Sequence, residues 1–325
     1  MKDIAKEINV SVTTVSKALN NHPDISDARR EEILALIERH NYIPNSLAKS
    51  LRTDNSAFIG VIVSDNANPY HSKVIKAMEN VASREGFYLL IANTNENVEV
   101  EELVIHKMLA INIGGILICP AMGNAKTTEI LKKHKIPHVL FNRYIDRSRD
   151  SYVVADDALA ARVGAEYLLQ KYSDRRIVFL APDLKISTAR DRLTGFRQAL
   201  AEAGRSYDER LLFCGIVDYV DGYAVMDSVL DRFPAEKLCV FCYSDYIAMG
   251  VLKRLYELGL LETNDIAVMG IDGVEMFTPF VPSVHIPKYN LGLHSMELLI
   301  GKIRKSIEEE HVVMSEDINL TGKLS

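Results

Sequence analysis

From Phe58 to Gly273 the chain alternates between short apolar runs and longer amphipathic stretches, and it does so in two series. FIGVIVSD, FYLLIANTN, GGILICPA and IPHVLFNR read as strands, with helices at Tyr70–Gly86, Glu99–Ala110 and Lys126–His134. Strands that are apolar throughout are buried on both faces, and strands separated by helices run parallel. The series then restarts with helices at Asp157–Lys171, Ala189–Ala203, Asp221–Phe233 and Tyr246–Leu258 between the strands RRIVFLAP, RLLFCG, LCVFCYSD and IAVMGIDG. The expected fold is therefore two doubly wound α/β lobes, each on a parallel sheet. Ligands of such sheets sit beyond the carboxyl ends of the strands, and two lobes side by side leave a cleft there.

Those strand ends read SDNANPYH, CPAMGN, FNRY, YSD and IDG. They supply Asp65, Asn142, Arg143, Ser244, Asp245 and Asp272, while Arg192 opens a nearby helix and Tyr70 and Tyr219 offer rings. Each of these alone suits a helix cap or an ion pair. Their recurrence at successive strand ends suits a polyhydroxylated ligand such as a sugar, whose hydroxyls both donate and accept.

The rest of the sequence narrows the function by exclusion. The 325 residues exceed one typical domain, and 48% hydrophobic with 25% charged residues is ordinary globular composition. No apolar run approaches the ~18 residues of a membrane helix, and the N-terminus enters a charged helix directly, so residence in the cytoplasm is expected without a membrane partner. Of the cysteines Cys119, Cys214, Cys239 and Cys242, the last two form a C-x-x-C inside the strand LCVFCY. Residues three apart in a strand point to opposite faces, so they are expected to be structural thiols and no metal is implied. There is no Gly-rich dinucleotide or P-loop fingerprint, no G-x-S-x-G elbow and no H-E-x-x-H. No cofactor and no catalytic residue is expected.

Ahead of the lobes, Asp3–Leu19 reads as two short helices around a tight turn. Ile4, Ala5 and Ile8 give the first an apolar face, Asn9 breaks the chain where a left-handed residue is needed, and Ser11 stands where an N-cap belongs. Val15, Ala18 and Leu19 mark the buried face of the second helix, leaving Val12, Thr13, Ser16 and Lys17 outward. That outward face suits a DNA major groove, although a helical hairpin without DNA has the same pattern. A third helix is expected after Ser26 as N-cap, buried through Ile33, Leu34, Ile37 and Tyr42. The stretch YIPNSLAKSLRTDNS then places two helical turns over Ser46–Arg52, too short to be helical alone in water. The first 56 residues carry eight basic and eight acidic side chains, so this segment offers phosphate no surplus of positive charge.

With these motifs in view the chain resembles the lactose-repressor/galactose-repressor family of bacterial transcriptional regulators. DIAKEINVSVTTVSKALN resembles the family's helix-turn-helix, YIPNSLAKSL its hinge helix, FIGVIVSDNANPY its first core strand, and RLTGFRQAL, SDYIAMG and VMGID later blocks. The resemblance implies an all-α helix-turn-helix head over 1–43, a hinge over 44–56 and a periplasmic-binding-protein-like core over 57–325. One lobe is expected at about 57–156 plus 287–312, the other at 157–286 plus 313–325. It implies base reading by Val12, Thr13 and Lys17, and phosphate-side positions at Ser11, Thr14, Ser16, Asn20 and Ser26. Asn45 at the hinge and the minor-groove wedge Leu51 complete the DNA-binding set. Tyr70, Asn142, Arg192, Tyr219, Ser244 and Asp272 take the effector positions. The implied protein is a homodimeric repressor of a near-palindromic operator, controlled by a sugar or sugar derivative. The rival reading is a sugar-binding protein or sugar-processing enzyme with an incidental helical head. Three departures bear on the ligand: Asn142-Arg143 where Asp-Arg is common, Ser244 where Asn is common, and Ile286 where Gln often touches ligand.

Overall fold

The computed structural model describes residues 2–19, 21–40, 56–261 and 265–322. The chain divides into two units, Met1–Asp54 and Asn55–Ser325. In the first, α1 (Lys2–Glu7), α2 (Val12–Leu19) and α3 (Asp27–Arg39) surround a small core of Ile4, Ala5, Val15, Ala18, Ile33, Leu36 and Ile37. The turn between α1 and α2 has Asn9 at φ 53°, a left-handed conformation that Asn tolerates better than most residues. Ser11 caps α2 by accepting from the Thr14 N–H at 3.0 Å.

Two expectations for this unit change. Leu34 is 43% exposed and Leu36 takes its place in the core, because Ile33, Leu36 and Ile37 share one face at i, i+3, i+4 while Leu34 lies about 100° round the helix. Ser26 occupies the N-cap of α3 with extended backbone, but its side chain makes no capping hydrogen bond. Asn20, Tyr42, Asn45, Leu51 and the expected hinge helix Ser46–Arg52 lie outside the described residues.

The second unit begins with β1 (Phe58–Val63), α4 (Pro69–Arg84), β2 (Tyr88–Asn93), α5 (Val98–Ala110), β3 (Gly115–Ile118), α6 (Ala125–Lys133), β4 (His138–Phe141) and β5 (Tyr152–Ala155). It continues with α7 (Asp157–Lys171), β6 (Arg176–Leu180), α8 (Ser187–Glu202), β7 (Leu212–Phe213), α9 (Tyr219–Arg232), β8 (Leu238–Cys242), α10 (Asp245–Glu257), β9 (Ile266–Asp272) and β10 (Ser283–His285). It closes with α11 (Lys288–Ile303), β11 (His311–Met314) and β12 (Asn319–Thr321). One sheet runs β11-β5-β4-β3-β1-β2 and the other β12-β10-β9-β8-β6-β7. Among the described pairings only β10–β12 is antiparallel. In each lobe the first strand lies between the second and third, so both sheets have a topological switch point where a ligand crevice forms.

The chain crosses between the sheets after β5, between β10 and α11, and between β11 and β12. Val313 and Met314 pair with Val154 and Ala155, so the last crossing falls after Met314 rather than after residue 312. The strand expected over RLLFCG shortens to Leu212–Phe213: it sits at a sheet edge and Gly215 turns the chain at φ 84°. Among the described residues no helix is long and apolar enough to cross a membrane.

Three helix pairs meet at glycines. A Cβ at Gly195 of α8 would lie 1.9 Å from the Ala158 carbonyl oxygen of α7, at Gly250 of α10 2.0 Å from that of Tyr219 on α9, and at Gly292 of α11 2.2 Å from that of Val74 on α4. Backbone lies at each contact, so a methyl group forces the helices apart. Gly195→Ala is therefore expected to destabilise the core by about 1–3 kcal/mol. Urea denaturation checks this, and an unchanged midpoint would show that the helix pair yields freely.

Candidate functional site

The carboxyl ends of β1, β4, β6, β8 and β9 converge on one cleft between the lobes, where Ser64, Asp65, Asn142, Arg143, Pro182, Tyr243, Ser244 and Asp272 all line the walls. From the N-terminal lobe, Asn68 caps α4 through the Tyr70 N–H, and Pro69 starts the helix. This fixes Tyr70 at the cleft, where its hydroxyl donates to Asn142 Oδ1 at 2.8 Å. From the C-terminal lobe, the Arg192 Nε–H donates to Asp157 Oδ1 at 2.6 Å, one terminal nitrogen donates to the Tyr243 carbonyl, and the other lies 3.5 Å from Asp272. Ser244 caps α10 by accepting from Ile247 N–H. Asn142 and Asp272 hold φ angles of 64° and 129°. Non-glycine residues in that region cluster at ligand sites, where surrounding structure holds them.

Five of the six effector positions expected from the sequence thus come together: Tyr70, Asn142, Arg192, Ser244 and Asp272. Tyr219 does not join them. It opens α9 with its ring 6.1 Å from that of Tyr246, and Val217, two residues earlier, lines the cleft instead. Sequence reasoning missed His71 and Glu96. His71 is the residue after Tyr70 on α4, and its Nε2 lies 3.3 Å from Ser64 Oγ. Glu96 binds Arg143 through two hydrogen bonds of 2.7 and 2.8 Å across 47 residues of sequence, a spacing that carries no local signal.

The space left in the cleft is about 40 Å³, room for a few waters at the ~10–15 Å³ that each needs. A ligand larger than that fits only if the lobes part. Small contacts bridge them at the rim. Tyr144, after β4, donates its N–H to Ser187 Oγ on α8 and its hydroxyl to Asp191 at 2.9 Å, while Arg147 pairs with Asp191 at 3.1 Å. Lys73 of α4 pairs with Glu275, which follows β9.

Burial governs the titration of this region. Desolvation raises Asp157 to about 6 against the attraction of Arg192, and raises Asp272 to about 6 in the same way. Asp245, behind the cleft wall, is raised to about 8 by burial and by the charge of Asp272, although Ser283 and the Val274 N–H donate to it. His71 falls to about 4, through burial first and then the Arg143 charge. In β8, Cys239 packs into one apolar cluster and Cys242 into another, on opposite faces of the sheet as the spacing demands. No group of three metal-binding side chains occurs among the described residues.

In the head, Val12 and Thr13 are exposed, and Thr14, Ser16 and Lys17 are half-buried. Ser11 is engaged with Thr14 through both its hydroxyl contacts. Lys17 pairs with Asp24 at 2.7 Å. Arg29, Arg30 and Arg39 pair with Glu32, Asp27 and Glu7.

Residues 56–323 match the family described as periplasmic binding proteins and sugar binding domain of LacI family. Residues 1–45 match the bacterial regulatory proteins of the lacI family. An HTH-type transcriptional repressor PurR from Erwinia tasmaniensis is 30% identical over 318 residues, which cover 96% of this chain and 93% of the relative. Among solved structures, the transcriptional regulator CelR in a cellobiose complex superimposes with a TM-score of 0.74 at 26% identity, covering 98% of this chain and 96% of its own. A lac repressor dimer bound to operator and the anti-inducer ONPF gives 0.79 at 22% identity over 98% and 96%, and shares the fold.

The raised carboxylates set the sign of the pH dependence. Their folded pKa values lie above the unfolded value of 3.8, so the folded state keeps protons that the unfolded state has released. The stability these groups contribute is therefore fully present only below about pH 4; it falls as pH rises from there to about 6 for Asp157 and Asp272 and to about 8 for Asp245, and levels off above. Asp245→Asn removes the upper step. Thermal melts should show a smaller fall in Tm between pH 6 and 9 for that variant than for the parent, and parallel curves would contradict the assignment.

Proposed function

We propose, from the premise that this chain belongs to the lacI family of bacterial regulatory proteins, that it represses transcription as a homodimer and is switched by a sugar in the interlobe cleft. The protein is a DNA-binding transcriptional regulator and not an enzyme. The head matches the family in its own right, so the reading of an incidental helical head is dropped. The carrying observation is the convergence of Tyr70, Asn142, Arg192, Ser244 and Asp272 from both lobes on one cleft. Hydroxyl, amide, guanidinium and carboxylate groups together recognise a polyol. The cellobiose complex of CelR supports a sugar as the ligand class.

Two features support the homodimer. Tyr88 and Ile91 on the edge strand β2 stand open to solvent beside a groove of about 470 Å³ lined by Ile75, Phe87 and Leu89. On the other lobe Tyr256, Met276 and Phe280 are all more than half exposed. Large apolar side chains exposed on both lobes suit a subunit interface. A dimer places two heads on the half-sites of a near-palindromic operator in the cytoplasm. Lobe movement acts on the heads through residues 41–55, the only covalent route between the units. The overall reading is tested by fluorescence anisotropy on operator DNA with and without each sugar of a panel, with sedimentation velocity for the dimer. A monomer that binds all DNA alike, whatever the sugar, would refute it.

Two variants probe the parts. Lys17→Ala is expected to weaken operator binding by about 1–3 kcal/mol while leaving random DNA nearly unaffected. Equal loss on both would remove Lys17 from base reading. Asp191→Asn breaks the half-exposed rim contact with Arg147. It should lower effector affinity a few-fold, about 0.5–1 kcal/mol, in calorimetric titration. No change there would mean that the rim takes no part in closure.

A further inference from the structure

The charges of the cleft are already spoken for, and this narrows the ligand beyond the word sugar. Its lining contains two guanidinium groups, Arg143 and Arg192, and three carboxylates, Asp65, Glu96 and Asp272. The charge of Arg143 is balanced by Glu96, which accepts through both carboxylate oxygens, and Arg143 also donates to the Pro120 carbonyl, so that among the described residues only its Nε–H is left without a partner. Arg192 is held by Asp157, by the Tyr243 carbonyl and by Asp272. The third carboxylate, Asp65, stands half-exposed after β1 and accepts only a local hydrogen bond from the Ala67 N–H. His71 adds no positive charge at neutral pH.

An anionic ligand would meet guanidinium groups whose charge is already balanced by Glu96, Asp157 and Asp272, would bury a further negative charge beside those carboxylates, and would be repelled by Asp65. A neutral polyol needs none of this. It meets the uncharged groups Ser64, Asn68, Tyr70, Asn142 and Ser244, and it adds hydrogen bonds to charged groups that keep their partners. We propose that the cleft selects a sugar without phosphate or carboxylate and discriminates against the acidic derivatives of that sugar, because both guanidinium groups are paired internally and the unpaired charge at the mouth is negative. This rests on the reading of the cleft as the effector site.

The test is calorimetric titration of the full chain, at pH 7 and at low and high salt. Probes are ribose, galactose, glucose, maltose and cellobiose, set against ribose 5-phosphate, glucose 6-phosphate and galacturonate. The expected result is that any binder is neutral and binds at least tenfold more tightly than its acidic counterpart. A phosphate or uronate that binds as tightly as the neutral sugar, or more so, overturns the proposal. Silence of the whole panel instead overturns the sugar reading on which it rests. Asp65→Asn, at the half-exposed mouth, should reduce the discrimination several-fold at low salt while changing the neutral sugar's affinity less. Glu96→Gln, which releases Arg143, should reduce it further. Discrimination unchanged in both variants would show that these charges do not set it.

Discussion

Arg192 is a buried cation with a carboxylate on either side, and the C-terminal half of the cleft is arranged around it. Asp157 of α7 lies 2.6 Å from its Nε, Asp272 at the end of β9 lies 3.5 Å away, and the ring of Tyr243 sits 4.4 Å from the guanidinium carbon. Burying such ions costs several kcal/mol each, which attraction offsets only when geometry and remaining hydrogen bonds are satisfied together. Four elements must therefore be placed at once. The backbone contact at Gly195 contributes directly: Ala158, whose carbonyl presses on that glycine, is the neighbour of Asp157. The missing Cβ lets α7 approach α8, and the approach brings Asp157 to Arg192. Packing and site chemistry are thus one constraint.

The two halves of the cleft are built differently. The N-terminal lobe presents hydroxyl and amide groups, with its one guanidinium tied to Glu96; the C-terminal lobe presents a charged network. Contacts that join the halves at the rim are partly exposed, with Arg147 54% and Lys73 47% accessible at their side chains. Exposed ion pairs contribute about 0–1 kcal/mol each. The closed arrangement is then favoured by a small sum, and a ligand that adds hydrogen bonds to both walls adds to it. A switch requires a difference of this size, since a state favoured too strongly cannot be shifted by a ligand.

Much of this was legible in the sequence because it is periodic. Apolar runs and helical spacing located most core strands and helices, and the strand-end residues Asp65, Asn142, Arg143, Ser244 and Asp272 line the cleft as expected. What escaped depends on tertiary contact. Glu96 finds Arg143 across the lobe and Asp191 finds Tyr144 across the cleft, and neither separation leaves a trace in local pattern. Tyr219 stands apart from the cleft lining for the same reason: a ring two residues past Val217 turns with the first turn of α9 and meets Tyr246. The strand Tyr152–Ala155 follows β4 with no helix between them, so the strand–helix alternation does not signal it, and Leu34 belongs to an apolar pair of which only geometry can choose the inward member.

The charge balance of the head bears on the homodimer we propose. Its described arginines and Lys17 are paired with acidic neighbours, and the segment up to residue 56 has no net charge. Non-specific DNA affinity scales with the counterions that free cations release, so one such head is expected to bind weakly and to depend little on salt. Two weak heads joined through one core behave differently. The second binds at an effective concentration set by the spacing of the pair, and avidity gained this way reaches about 10²–10⁴ when both half-sites are met, or vanishes when they are not. A head with strong electrostatics of its own would stay on DNA whatever its partner did. In the proposed dimer a charge-neutral head would leave the spacing in control, so that a lobe closure worth a few kcal/mol would be enough to decide whether the operator is held.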